Sequence, residues 1–124
     1  LTEIIYKHRE MVIALDALVG KWKPVILSVL YNHGTLRFNE LKRLIPHITQ
    51  RMLTLHLREL EENDLVKRVI YPQIPPKVEY SLTEYAMTLQ PLVKDLYEWG
   101  EKHIEHMESK QKSVSTDDEK DTNK

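Results

Sequence analysis

The sequence predicts an α+β fold that is mainly helical, and three observations predict it. Between Glu10 and Glu62 the apolar residues recur at helical spacing in four short segments. Two runs rich in β-branched and aromatic residues follow, LVKRVIY at 65–71 and KVEYSLT at 77–83, parted by PQIPP. A long amphipathic stretch from about Thr83 to Met107 comes last. At 124 residues and 41% hydrophobic content the chain supports one small core. The expected division is a folded domain over residues 1–107 and a disordered polar tail over 108–124, where apolar residues almost vanish.

In the first segment Met11, Ile13, Ala14, Leu15, Ala17 and Leu18 favour a helix that Gly20 ends by taking a positive φ. The second helix follows Lys21 and Trp22. Pro24 suits its first turn, where a missing amide costs nothing, and Val25, Ile26, Val29 and Leu30 continue at helical spacing until His33-Gly34. A third helix over about Phe38 to Ile45 buries Phe38, Leu41, Leu44 and Ile45 and closes before Pro46. The fourth begins at Thr49, whose hydroxyl can cap the amides of the next turn. At about 100° per residue Leu53, Leu57 and Leu60 share one side of it, with Arg51, Leu55, Arg58 and Glu62 opposite and Thr54 on the flank. The PQIPP loop between the two β-rich runs holds three prolines in five residues, so it is a stiff projecting tip rather than a tight turn. In the last stretch Leu89, Leu92, Val93, Leu96, Trp99, Gly100 and His103 fall near one stripe, which Pro91 is expected to kink or interrupt.

Charge is gathered rather than spread. The whole chain carries −1, with a pI near 6.7, yet from Arg37 to Arg58 five basic residues (Arg37, Lys42, Arg43, Arg51, Arg58) face the single acid Glu40, a local +4. Two short amphipathic helices with that charge, joined through Pro46 and Thr49, form the footprint of a helix-turn-helix that enters a DNA major groove. From Glu59 the fourth helix turns acidic, so only its N-terminal half can rest against phosphate.

Several classes fall away on composition. No apolar run approaches the roughly 18 residues that span a bilayer, and the N-terminus lacks a signal-peptide core; the expectation is a cytoplasmic protein with no membrane partner. With no cysteine there is no thiolate metal site and no thiol switch in the chain. His103 and His106 are spaced i, i+3, but local sequence fixes no third ligand, and no metal or other cofactor is expected. Three glycines form no phosphate loop and no nucleophile elbow is present, so no enzyme is expected either.

The order helix, helix, helix, recognition helix, hairpin, long helix is the winged helix-turn-helix layout, with N- and C-terminal helices added. More closely, ALDALVGKW at 14–22, RFNELKRLIPHIT at 37–49, LTLHLRELEENDLVKR at 53–68 and YPQIPPKVEYSLT at 71–83 resemble the HxlR family of bacterial transcriptional regulators. The resemblance covers residues 9–107 and rests on the combination of the GKW turn, the LRELE helix end and the PPKVEYSLT wing. It implies a homodimer, joined through its first and last helices, that binds an inverted-repeat operator in double-stranded DNA. Many family members resemble one another in a sensing cysteine shortly before the first helix; that position falls at or near Arg9 here. Either the signal is a noncovalent small-molecule effector, or the protein is regulated by abundance, or the sequence is an engineered cysteine-free version.

Within this frame Arg51 and Arg58 are read as DNA contacts, although on an isolated helix they would be solvated charges. Leu55 between them suits a thymine methyl better than water. Gln50 and Thr54 can meet base edges or phosphates, and Thr49 is a cap before it is a base reader. Arg37 belongs to the same basic surface. Lys42 and Arg43 reach backbone phosphates, or one of them pairs with an acid of a neighbouring helix. Lys77, after the wing tip, meets phosphate or the minor groove, or is a solubilising charge. Trp22 is assigned to the core. The apolar surplus at Leu92, Val93, Leu96, Tyr97, Trp99 and Ile104 is assigned to the dimer interface. The rival reading is a winged-helix module that binds another protein and no specific DNA.

Overall fold

A computed structural model describes residues 7–18 and 20–122, with side chains described as far as Val114. Five helices and one ribbon follow in order: α1 (Arg9–Leu18), α2 (Trp22–His33), α3 (Phe38–Leu44), α4 (Gln50–Glu62), β1 (Val66–Tyr71), β2 (Lys77–Leu82), a 3-10 turn at Tyr85–Thr88, and α5 (Gln90–Thr122). The mainly helical α+β class and the winged helix-turn-helix layout are therefore observed. The chain divides into two compact units, one ending at Gln90 and the other beginning at Pro91.

Local chemistry sets most boundaries of the first unit. Gly20 and Gly34 take φ of 90° and 78°, which L side chains rarely adopt, and they close α1 and α2 where expected. Pro24 sits in the first turn of α2, where its missing amide has no intrahelical partner to lose. At the start of α3 the Glu40 carboxylate accepts a hydrogen bond from the Arg37 amide at 2.9 Å; the guanidinium has no acceptor, so only this half of a capping box forms. Thr49 caps α4, its hydroxyl oxygen accepting from the Met52 amide at 3.1 Å. Past Asn63, Asp64 adopts φ 59° and the Leu65 amide donates back to the Leu60 carbonyl at 2.9 Å, turning the chain sharply into β1.

Leu53, Leu57 and Leu60 of α4 meet Ile26, Leu27 and Leu30 of α2, Leu41 of α3, and Ile45, Ile48, Leu65 and Val66 in one core. Trp22 and Phe38 pack against it half-buried. The ribbon is antiparallel, with Val66 opposite Leu82, Arg68 opposite Tyr80 and Tyr71 opposite Lys77. Leu36, ahead of α3, adds a one-residue third strand: its amide donates to the Tyr80 carbonyl at 2.9 Å and its carbonyl accepts from the Tyr80 amide at 2.8 Å. These bonds tie the wing to the helix-turn-helix.

Three expectations are corrected. Leu44 was assigned to the core but is 43% exposed; the chain leaves the helix at Ile45, whose side chain, with Ile48, takes the interior space instead. Pro91 neither kinks nor interrupts a helix, because the 3-10 turn ends first and Pro91 falls in the opening turn of α5, where proline is tolerated. Residues 108–122, expected as a disordered tail, continue α5: after Gly100 the sequence holds no glycine or proline, and its Lys, Glu and Gln residues favour helix without needing a core.

Candidate nucleic-acid interface

The geometry of α4 follows from its two-sided sequence. Its aliphatic side is locked into the core, Leu53 and Leu60 being fully buried, and that fixes which residues face outward. Gln50, Arg51, Thr54, Leu55 and Arg58 line one open, shallow surface along the helix. All five were expected there. Leu55 is 42% exposed between the two arginines, an apolar group held in water by a helix that cannot rotate. The Thr54 hydroxyl donates to the Gln50 carbonyl at 2.9 Å, so it is left to accept a hydrogen bond, as from a base amino group, rather than to donate one to phosphate. Thr49 uses its oxygen as a cap and keeps its hydroxyl proton.

On α3, Arg43 is exposed and Lys42 half-buried; Arg37 is exposed just before it. Neither Lys42 nor Arg43 is ion-paired among the described residues, so neither is used to join helices. Lys77 is already engaged: its ammonium lies 2.8 Å from the Glu79 carboxylate and 4.9 Å from the centre of the Tyr71 ring. At the wing tip Ile74 is wholly exposed. Between α4 and the ribbon, Thr54, Leu57, Arg58 and Glu61 meet Arg68 and Tyr80 around a cleft of about 230 Å³. Arg68 was missed in the sequence; the register that sets it opposite Tyr80, on the same side of the ribbon as buried Val66, was the signal that could have found it.

Behind this surface lies a polar cluster. Lys23 of α2, 3% exposed, places its ammonium 2.5 Å from the Glu59 carboxylate of α4. That hydrogen bond holds the Glu59 carboxyl below its ordinary pKa. His56, also buried, stands 3.9 Å from the same carboxylate, too far for a hydrogen bond, and neither ring nitrogen has a hydrogen-bond partner among the described residues. Burial lowers the His56 pKa, with Glu59 acting against that shift and Lys23 with it. A Cβ at Gly20 would come within 3.4 Å of the His56 ring, so the turn after α1 is fitted over this imidazole.

In the second unit Leu92, Leu96, Tyr97, Trp99 and Ile104 are between 46% and 64% exposed, whereas Val93 is buried within the protomer. The Trp99 and His103 rings stack at 4.7 Å. In the first unit α1 likewise leaves Met11, Ile13 and Leu15 more than half exposed. No group of three metal-ligating side chains gathers among the described residues. No described helix is long and apolar enough to cross a membrane.

Known proteins are similar to this chain in sequence and fold. A family model described as HxlR-like helix-turn-helix matches residues 17–108. YybR of Bacillus subtilis (strain 168), an HTH-type transcriptional regulator, is 49% identical over 108 residues, covering 85% of this chain and 86% of that one. An HTH-type transcriptional regulator of Methanothermobacter thermautotrophicus is 47% identical over 97 residues, 78% of this chain and 73% of that one. The solved structure of the redox regulator HypR in its reduced form superposes with a TM-score of 0.75 at 50% identity, covering 81% of this chain and 98% of that one.

Proposed function

The chain belongs to the HxlR-like helix-turn-helix family and is a DNA-binding transcriptional regulator; from that premise we propose that it works as a cytoplasmic homodimer on an inverted-repeat operator. The observation that carries the DNA reading is α4: its leucines are buried and its outward surface collects Gln50, Arg51, Thr54, Leu55 and Arg58. Two arginines, an amide and an exposed leucine match the donors, acceptors and thymine methyls of a major groove. Arg37, Lys42 and Arg43 supply positive charge for the flanking backbone.

Dimerisation is supported by apolar groups left in water on two helices, Met11, Ile13 and Leu15 of α1 and Leu92, Leu96, Tyr97, Trp99 and Ile104 of α5. A second copy related by a twofold axis would cover them and place two copies of α4 on successive turns of DNA. Val93, spent within the protomer, is the member of the expected interface that contributes least.

Sedimentation at micromolar concentration, combined with selection of bound duplexes from random-sequence DNA, tests both parts. A dimer that enriches a palindromic motif, and loses affinity steeply with salt, is the expected result. A monomer, or binding insensitive to both sequence and salt, would sink the proposal and favour a protein-binding module.

A further inference from the structure

We propose that the cleft between α4 and the wing seats a single DNA backbone phosphate, held jointly by the guanidinium groups of Arg58 and Arg68. The proposal rests on the DNA-binding reading and changes the role of one of its residues.

Two cations from different elements are brought to one cleft of about 230 Å³, where Glu61 is the only acid. Neither arginine is ion-paired among the described residues, and Glu61 pairs with neither of them. Both guanidinium groups are exposed and open to a ligand, and one phosphodiester charge neutralises the surplus left after Glu61. Both supports are rigid. Arg58 follows Leu57, which is 2% exposed, and Arg68 pairs with Tyr80, whose backbone is fixed in both directions by Leu36. Such a seat is preorganised for a bidentate contact.

The rest of the surface leaves this role open. Lys77, at the start of β2, is matched by Glu79, and the Thr54 hydroxyl proton is given to the Gln50 carbonyl. Among the described residues Arg68 is thus a cation without an ion pair on the helix side of the ribbon. A strand of DNA bordering the groove occupied by α4 would pass through this cleft. Arg58 then positions the backbone, and base reading falls to Gln50, Arg51, Thr54 and Leu55 in the N-terminal half of the helix.

The test measures fluorescence anisotropy of a duplex selected by the protein and of a scrambled duplex, over a salt series, for Arg58→Ala, Arg68→Ala and the double variant. Each single substitution should weaken both duplexes alike, by roughly tenfold. Because one phosphate is shared in each half-site, the double variant should lose no more than about one unit of salt slope per protomer, about two per dimer, and fall well short of the product of the singles. Losses that multiply, with a slope change near about four per dimer, would assign two separate phosphates to each protomer and overturn the proposal. So would a loss confined to the selected duplex. A scan of neutral methylphosphonates gives a readout free of any folding defect: one position should weaken wild type and be silent in both variants, and finding none overturns the seat. If inorganic phosphate competes better than chloride at matched ionic strength, the cleft takes a free anion and the DNA assignment fails. Failure of the wild type to select any duplex would instead remove the functional reading itself.

Discussion

His56 occupies a position that favours the neutral imidazole over the charged one. It lies on the side of α4 that also carries Leu53, Leu57 and Leu60, with both nitrogens buried and unpartnered. Charging it would desolvate a cation beside Lys23, and the attraction of Glu59 at 3.9 Å does not outweigh this, so its pKa is lowered. The folded state therefore binds fewer protons than the unfolded chain, and stability falls as pH drops below the ordinary histidine value near 6.5. Glu59, lowered by the hydrogen bond from Lys23, adds a second loss in the same direction, below the ordinary carboxyl range. Thermal melts between pH 8 and pH 5 should show a declining midpoint, and His56→Leu should flatten the part above pH 5. An unchanged slope in that variant would place the titration elsewhere. Removing the acid alone is more damaging: Glu59→Ala strands the buried Lys23 ammonium and, because the carboxylate is partly exposed to solvent, should cost about 1.5 to 3 kcal/mol by denaturant unfolding, whereas Glu59→Ala with Lys23→Met should recover most of it. None of this was legible in the sequence. A histidine at helical spacing from three leucines gives no sign of its protonation, and the partner of Lys23 is 36 residues away along the chain.

At the scale of elements, α4 was readable because its two faces obey one period. Three leucines recur at spacings of four and three, and the arginines fall opposite, so the period alone set Arg51, Leu55 and Arg58 outward. Arg51→Ala should then cost about 1 to 3 kcal/mol on the selected duplex if its guanidinium reads guanine, and should flatten preference at one position per half-site. Equal losses on scrambled DNA would assign it to phosphate. The wing was readable as a ribbon with a stiff tip, but its charges were not. Alternation cannot tell that Lys77 is held by Glu79 two residues on, nor that Arg68 turns toward the helix. Lys77→Ala should consequently weaken all sequences by less than Arg68→Ala does, since binding through Lys77 must first break its pair with Glu79. Leu44 shows the same gap for α3. A seven-residue helix is too short for periodicity to separate its last turn from the chain that leaves it.

For the whole molecule, the fold class followed from element order, while the long reach of α5 did not, because helix without a buried face carries no hydrophobic period to read. The chain also sets limits on signalling. Its 124 residues hold no cysteine, and Arg9, at or near the place where many members of the family it resembles are expected to carry a sensing thiol, is exposed in the first turn of α1. Arginine forms neither a disulfide nor a sulfenic acid, so no thiol among these 124 residues carries a signal, and the routes left to them are a ligand that binds the DNA-competent and incompetent forms unequally, changes in protein abundance, or methionine oxidation. Diamide should therefore leave the affinity for the selected duplex unchanged in a band-shift titration. Peroxide can still act through methionine. Met11, Met87 and Met107 are exposed, and Met52 packs against the core one residue from Leu53, where a sulfoxide would disturb α4. That route should be slow and indifferent to dithiothreitol. Rapid release by diamide, undone by dithiothreitol, would mean that a thiol outside these residues controls the protein.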